Sequence, residues 1–253
     1  MGEAWTLIRA QAQAYIADEP RLAELLEPAV LAHGSGAQAL VALLVARLGG
    51  SDAPGTLLRE LLAQAYAADP ALYRGSERDL FAIRERDPAC ACLCSAFLFF
   101  KGFHALQAHR AAHWHWRAGQ HFAARLLQHR AAEALGIDIH PAAVIGSAVM
   151  LDHGTGFVAG ETVVIGDGVS LLHGVTLGGT GKETGDRHPR IRNGVSIGAG
   201  AVVLGNVEVG EGARIGAGSV VLSAVPAAVT AVGARARLVE RAPAAAPVAW
   251  SAG

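Results

Sequence analysis

The sequence is poor in cysteine, and its charges are balanced. Its three cysteines, Cys90, Cys92 and Cys94, alternate in one short run, a spacing that suits neither a disulfide framework nor the C-x-x-C pairs of a zinc site. We therefore expect reduced, buried thiols. The formal net charge is −1, and the basic residues are scattered among 22 acidic ones. Because no basic block is present, we expect no nucleic-acid partner.

A long hydrophobic run is also missing. The longest apolar stretch, from Pro88 to Phe100, is followed by Lys101 and is shorter than the roughly 20 residues that span a bilayer. The N-terminus has no basic start followed by an apolar run and a small-residue cleavage site, so no secretion signal is visible. We expect a buried helix at this stretch, no membrane partner and a cytoplasmic protein.

The second half of the chain contains a six-residue repeat. Aliphatic residues recur at this spacing at Ile139, Ile145, Leu151, Ile165, Leu171, Leu177, Ile191, Ile197, Val203, Val209, Ile215 and Val221. A unit this short cannot bury its apolar face alone, so successive units must stack into a solenoid with one continuous core. The repeat therefore predicts a parallel β-helix, which we place at residues 135–240.

The first half of the chain has helical spacing instead. Residues 3 to about 134 are rich in Ala, Leu, Arg and Gln, and Leu40, Leu43, Leu44 and Leu48 lie on one helical face. We predict an α+β chain in which an all-α N-terminal domain, residues 1–134, precedes the β-helix. The end, residues 241–253, is rich in Ala and Pro and is expected to be unstructured.

The last predicted helices carry a cluster of histidines and tryptophans, at His104, His109, His113, Trp114, His115 and Trp116. His109 and His113 share a helical face, which is a spacing that metal sites use. However, no carboxylate or third histidine follows at the next turn of that face. We therefore expect no metal site.

Two polar interruptions break the six-residue repeat. The register slips by two residues between Leu151 and Ile165, beside Asp152-His153-Gly154. A polar segment, residues 178–190, then stands where the repeat predicts one six-residue face. Because functional residues concentrate in loops that a rigid scaffold positions, we expect the site at these interruptions.

Five motifs in combination carry a family resemblance: Lys101-Gly-Phe-His-Ala-Leu-Gln-Ala-His109, Asp138-Ile-His-Pro-Ala-Ala143, Leu151-Asp-His-Gly-Thr-Gly156, Val175-Thr-Leu-Gly-Gly-Thr-Gly-Lys182 and Asp186-Arg-His-Pro189. With them, the chain resembles the serine O-acetyltransferases, hexapeptide-repeat acyltransferases, from about residue 60 to 240. The resemblance implies a left-handed β-helix, an exception to the right-handed crossover rule. It also implies transfer of acetyl from acetyl-CoA to L-serine, giving O-acetyl-L-serine and CoA, the first step of cysteine biosynthesis from serine. Acetyl-CoA is then a co-substrate, and no cofactor is expected.

This chemistry needs a base, because a hydroxyl is a poor nucleophile until its proton is removed. His153 is the candidate, since a histidine with a pKa of about 6.5 is mostly neutral at cytoplasmic pH. A carboxylate on the far ring nitrogen would fix the tautomer and stabilise the imidazolium. Asp138 is the candidate for that role. Both positions match the catalytic dyad of the family.

The resemblance also assigns binding residues. Asp87 and Asp152 match positions that contact serine, while Arg187 and His188 match those that bind its carboxylate. Asp87, ahead of a proline, is alternatively a helix cap. The positions that match acetyl-CoA contacts are Gly179, Ala199, Arg214 and Ala217, although packing of the repeat also demands small residues. The roles of His140 and His173 stay open.

Assembly and regulation follow from the resemblance as well. It implies homotrimers of side-by-side β-helices, which the family commonly pairs into hexamers through the helical domains, and the choice between trimer and hexamer stays open. The helical domain also supplies part of the serine site. L-cysteine is expected to inhibit by competing at the serine site. Members of the family often bind cysteine synthase through a C-terminal isoleucine. This sequence ends in Gly253, which disfavours that complex.

Three other functions share parts of this pattern. A sibling enzyme could acetylate a sugar or antibiotic hydroxyl, but such enzymes usually lack a helical domain of this length. A carbonic anhydrase on a left-handed β-helix needs two histidines five residues apart on one coil plus a third, and the pair with that spacing, His104 and His109, lies outside the repeat. A trimeric scaffold would need no base. An acceptor screen separates the sibling enzymes from the family that the chain resembles.

Overall fold

The computed structural model describes residues 2–50, 53–182 and 184–233. The predicted unstructured end, residues 241–253, and the last seven residues assigned to the β-helix, 234–240, lie outside the described residues. The described part contains a helical region followed by parallel strands.

The helical region runs from residue 3 to residue 135. Its α-helices are α1 (Glu3–Asp18), α2 (Ala23–Leu26), α3 (Gly36–Leu48), α4 (Gly55–Ala68), α5 (Pro70–Arg86), α6 (Leu93–Phe99), α7 (Lys101–Arg117) and α8 (His121–Leu135). A 3-10 turn (Pro20–Leu22) and a π turn (Glu27–Leu31) flank α2. Side-chain caps start two of the long helices, since Ser35 accepts from the backbone N–H of Gln38 and Asp69 accepts from that of Ala71. Gly136, at φ 68°, ends α8.

The strands are short and all pair in parallel. They are β1 (Asp138–Ile139), β2 (Val144–Ile145), β3 (Met150–Leu151), β4 (Val158–Ala159), β5 (Val164–Ile165), β6 (Ser170–Leu171), β7 (Thr176–Gly178), β8 (Arg190–Ile191), β9 (Ser196–Ile197), β10 (Val202–Leu204), β11 (Glu208–Val209), β12 (Arg214–Ile215), β13 (Val220–Val221) and β14 (Thr230–Ala231). They form a first sheet, β1-β4-β7-β10-β13, a second sheet, β2-β5-β8-β11, and a third sheet, β3-β6-β9-β12-β14. From β1 to β13 the chain visits the three sheets in turn, so it winds as a three-sided coil. The predicted aliphatic residues are buried in its core, except Ile145, which is half-buried.

Two of the corners of this coil matter for function. At the first corner the chain passes from the third sheet to the first, in residues 152–157, 172–175, 198–201 and 216–219. At the second corner it passes from the first sheet to the second, in residues 140–143, 160–163, 179–189 and 205–207. The two-residue slip lies at the first corner, because Ala159 pairs with both Ile139 and Leu177 in the first sheet.

The polar loop does not replace a face of the coil, so that interpretation is wrong. Strand β7 belongs to the first sheet and β8 to the second, which are consecutive faces. The loop is therefore an insertion at the second corner. The spacing misled because the distance from Leu177 to Ile191 is close to two repeats, which a missing face would also produce.

The helical region packs on the β-helix through a buried ionic network. Asp79 on α5 accepts from the guanidinium of Arg110 on α7, at 2.7 Å and 3.2 Å, and from the backbone N–H of Val149 at 3.0 Å. Arg110 also donates to the carbonyl of Gly146, at 2.8 Å. Asp79 is completely buried and Arg110 is 9% exposed. These contacts hold α5 and α7 against the first coil.

The start of α7 also approaches the β-helix closely. A Cβ added to Gly102 would overlap the carbonyl oxygen of Leu151, the residue before Asp152. Only glycine fits this contact, which places the first turn of α7 beside the first corner.

The structure also shows the state of the cysteines and of the longest apolar segments. The three cysteines are free and buried, as expected. Among the described residues, no single helix is both long enough and apolar enough to cross a membrane; one pair, Pro20–Leu31 with Gly36–Leu48, meets those two criteria jointly but is bent by 114°.

Candidate active site

The first corner brings together three of the predicted site residues. Asp87, Asp152 and His153 line one cavity of about 370 Å³, together with residues from the end of α6 and the start of α7. His153 stands in a tight turn at φ 54°, which projects its ring outward, and its side chain is 74% exposed. Its Nε2 lies 3.7 Å from Oδ1 of Asp152. The corner thus presents an accessible imidazole in a cavity that two carboxylates also line.

Asp87 reaches this cavity because Arg86 anchors the end of α5. The Arg86 guanidinium donates to the carbonyls of Ala148, at 3.1 Å, and Gly168, at 2.9 Å. Oδ1 of Asp87 accepts from the backbone N–H of Ala89, at 2.8 Å. Asp87 therefore does not cap the start of a helix, because α6 begins only at Leu93. Its side chain closes a turn and also lines the cavity.

Asp138 is not hydrogen-bonded to His153 in the part of the chain that the structure describes. Its Oδ1 accepts from Nε2 of Gln128 on α8, at 2.7 Å. Asp138 does lie on the coil next to the His153 turn, because its backbone N–H donates to the carbonyl of Phe157 at 2.9 Å. The predicted dyad is therefore adjacent in the fold without a direct bond.

Arg187 and His188 lie at the second corner, in the inserted loop. Arg187 forms an ion pair with Glu161, with Nη2 and Oε2 2.7 Å apart, and this bond lowers the pKa of the Glu161 carboxyl. His188 is buried against Thr162. Burial, followed by the positive charge of Arg187, lowers the pKa of His188, so its ring is neutral at neutral pH.

The motifs did not indicate Glu161 and Thr162, the partners of Arg187 and His188. The sequence does contain a signal for these two residues. Gly160-Glu161-Thr162 follows β4 directly, just as the inserted loop follows β7. Recognising it requires that Ala159 be assigned to the repeat, and alanine is a weak marker of an aliphatic position.

The two unassigned histidines fall at different corners. His173 lies beside His153 at the first corner, with ring centroids 5.9 Å apart. His140 lies at the second corner, where its Nε2 is 3.2 Å from a guanidinium nitrogen of Arg125 and its ring meets Trp116 edge-on. Burial, and next the charge of Arg125, lowers the pKa of His140.

The residues predicted to contact acetyl-CoA are also divided. Ala199 and Ala217 lie at the first corner, one coil apart, and Arg214 begins β12 with an exposed side chain. Gly179 lies at the second corner, where an added Cβ would stand 3.3 Å from the carbonyl oxygen of Arg187. The predicted site residues of one chain therefore fall into two groups, one at each corner.

Two buried histidines of the helical region, His104 and His115, have structural partners. Nε2 of His104 bonds to the carbonyl of Phe97 at 2.7 Å, and Nε2 of His115 to that of Leu61 at 2.9 Å. No group of three or more His, Cys, Asp or Glu side chains suited to a metal occurs among the described residues.

Comparison with known proteins identifies the family. Residues 4–108 match the family model "Serine acetyltransferase, N-terminal", and residues 188–223 match "Bacterial transferase hexapeptide (six repeats)". The serine acetyltransferase of Salmonella typhimurium is 49% identical over 93% of this chain and 86% of its own length. The corresponding protein of Escherichia coli is 48% identical over the same shares.

Solved structures agree in fold. A serine acetyltransferase of Brucella abortus in complex with coenzyme A has a TM-score of 0.89 at 45% identity, covering 94% of this chain and 95% of that one. One of Neisseria gonorrhoeae in complex with serine has a TM-score of 0.88 at 48% identity, covering 94% and 98%. These matches confirm the predicted all-α N-terminal region followed by a left-handed parallel β-helix. This chain belongs to the serine acetyltransferase family.

Proposed function

We propose that this chain is a serine O-acetyltransferase, which transfers the acetyl group of acetyl-CoA to the hydroxyl of L-serine. The observation that carries the proposal is the first-corner cavity, where Asp87, Asp152 and an exposed His153 converge. Membership of the family supports it, as do the relatives whose structures contain coenzyme A or serine.

In this proposal His153 is the general base. It takes the proton of the serine hydroxyl as the oxygen attacks the thioester carbonyl carbon, and it returns that proton to the departing CoA sulfur. Asp138 stabilises the transient imidazolium from the neighbouring coil, after Gln128 releases or shares its carboxylate. Serine and CoA thus exchange one proton and one acetyl group, and no further reactant is needed.

The serine substrate needs partners for both of its charges. Asp87 and Asp152 bind the ammonium group at the first corner, and Arg187 and His188 bind the carboxylate from the second corner. Because these pairs occupy different corners of the coil, the first corner of one copy faces the second corner of the next. A homotrimer closes this head-to-tail contact, and pairing through the helical regions would give hexamers.

Exposed apolar residues support side-by-side packing of the coils. On the outer face of the first sheet, Val158 is 38% exposed and Val220 is 63% exposed. The groove between two copies receives acetyl-CoA, with Gly179, Ala199 and Ala217 allowing close approach of the pantetheine arm and Arg214 near the phosphates. L-cysteine carries the same ammonium and carboxylate as serine, so it inhibits by competition. A cytoplasmic location completes the proposal.

Thiol release from acetyl-CoA tests the activity. The purified protein is assayed with L-serine, L-homoserine, a galactoside or no acceptor, beside the His153→Ala variant. We expect serine-dependent release that falls by at least ~10²-fold in the variant, the usual contribution of a positioned base. Release with another acceptor would transfer the function to a sibling acetyltransferase, and no release with any acceptor would favour a scaffold.

Complementation tests the shared site. His153→Ala and Arg187→Ala chains are each expected to be almost inactive. In randomly mixed trimers of the two, about a quarter of the sites would combine an intact first corner with an intact second corner. Co-expression should therefore restore about that fraction of wild-type activity, whereas a site contained within one chain would give no recovery.

A further inference from the structure

Thr162 contacts His188 through both its backbone and its side chain. The backbone N–H of Thr162 lies 3.2 Å from Nδ1 of His188, and its Oγ1 lies 2.8 Å from the same nitrogen. Oγ1 also accepts the backbone N–H groups of Arg187, at 3.1 Å, and of His188, at 3.2 Å. One threonine therefore makes four polar contacts with the dipeptide proposed to bind the serine carboxylate.

These contacts determine where the proton of the ring lies. A backbone N–H can only donate, so Nδ1 must accept. The two lone pairs of Oγ1 already receive N–H groups, which leaves the hydroxyl proton of Thr162 free to point at Nδ1 as well. A neutral imidazole with an accepting Nδ1 carries its proton on Nε2.

Nε2 of His188 lies where its N–H can donate a hydrogen bond to a ligand. A Cβ added to Gly160 would overlap Nε2 and Cδ2 of His188, so the ring packs directly on that glycine. Within the described part of the chain, Nε2 has no hydrogen-bond partner, yet it is not among the fully buried unpaired atoms. Its N–H is therefore accessible from solvent at the second corner.

We propose that Thr162 is a positioning residue that holds His188 as the Nε2–H tautomer and directs this N–H at the carboxylate of the bound amino acid. The inference rests on the proposed function, in which His188 binds that carboxylate. With the opposite tautomer, Nε2 would present a lone pair to the carboxylate and would repel it. The tautomer therefore decides whether His188 attracts or rejects the substrate.

Steady-state kinetics test the role of the hydroxyl. Thr162→Val keeps the shape and the backbone N–H but removes the hydroxyl, so the KM for serine should rise about five-fold, as expected for one lost hydrogen bond. Carboxylate binding is the same in ground and transition states, so kcat and the KM for acetyl-CoA should change less than about two-fold. Thr162→Ser should restore the KM for serine. Loss of kcat, or an equal rise in both KM values, would indicate a merely structural residue and overturn the proposal.

Nitrogen-15 NMR of histidine-labelled protein tests the tautomer without reference to activity. The resonances of His188, assigned by their loss in His188→Gln, should show a pyridine-type Nδ1 and a pyrrole-type Nε2. The reverse pattern would overturn the proposal even in a fully active enzyme. If instead the wild type releases no thiol with serine, the proposed function fails, while the NMR result still decides the tautomer.

Discussion

Replacing Asp79 with alanine should destabilise the protein strongly, because this carboxylate is the centre of the interface between the helices and the β-helix. The change would leave the buried guanidinium of Arg110 without its counter-charge. It would also remove acceptors from Nε2 of Gln107 and the backbone N–H of Val149, which donate to Asp79 at 3.0 Å each. Breaking one partner of a buried pair costs about 3–5 kcal/mol. For a chain of this size, that corresponds to a fall of roughly 6–20 °C in Tm.

Urea unfolding monitored by circular dichroism measures this loss, at one protein concentration for all variants. Arg78→Ala is the matched control, because the neighbouring Arg78 makes an exposed contact with Ser147, and surface changes stay within about 0.5 kcal/mol. The double variant Asp79→Ala, Arg110→Met should be more stable than Asp79→Ala alone, since it removes the unpaired charge. A loss below about 1 kcal/mol for Asp79→Ala would refute the assignment of this network as the main polar anchor of the interface.

Three further predictions concern other parts of the molecule. Gly160→Ala should raise the KM for serine strongly without changing the KM for acetyl-CoA, because the new methyl group displaces His188. Gly55→Ala is the control, since its added Cβ would make an ordinary 3.9 Å contact. An unchanged KM for serine in Gly160→Ala would refute the packing of His188 on Gly160. Burial lowers the pKa of His104 to about 4. Between about pH 6.5 and pH 4 this histidine is therefore protonated in the unfolded state but neutral in the folded state. The free energy of unfolding should fall by about 3 kcal/mol as the pH drops through that range. The difference between the urea midpoints at pH 7 and pH 5 should be smaller in His104→Gln than in the wild type, and equal pH dependence in both proteins would contradict this. Burial raises the pKa of Cys94 to about 12, so Cys94 of the native protein should react slowly with a thiol reagent at pH 8. In the unfolded protein, all three cysteines should react.

Local sequence patterns predicted the structure most accurately. The six-residue spacing depends on neighbouring coils alone, and it correctly placed the buried residues of β1, β3 and β5 to β13. It failed where an insertion changes the count, as at the loop after Leu177, because spacing alone does not distinguish an inserted loop from a missing face. It also missed Thr162, whose position relative to His188 depends on Ala159 filling an aliphatic place in the first sheet.

By itself, the sequence determined that an all-α region precedes a solenoid, which histidine is the candidate base, and which family the motifs resemble, because periods and short motifs are properties of adjacent residues. Only the tertiary structure decided that Asp87 reaches Asp152 and His153, since this depends on α5 docking through contacts between residues far apart in the chain. It also decided that Arg187 and His188 lie at a different corner from His153. The corner that a residue occupies depends on the cumulative count of every preceding turn, and no local pattern records that count.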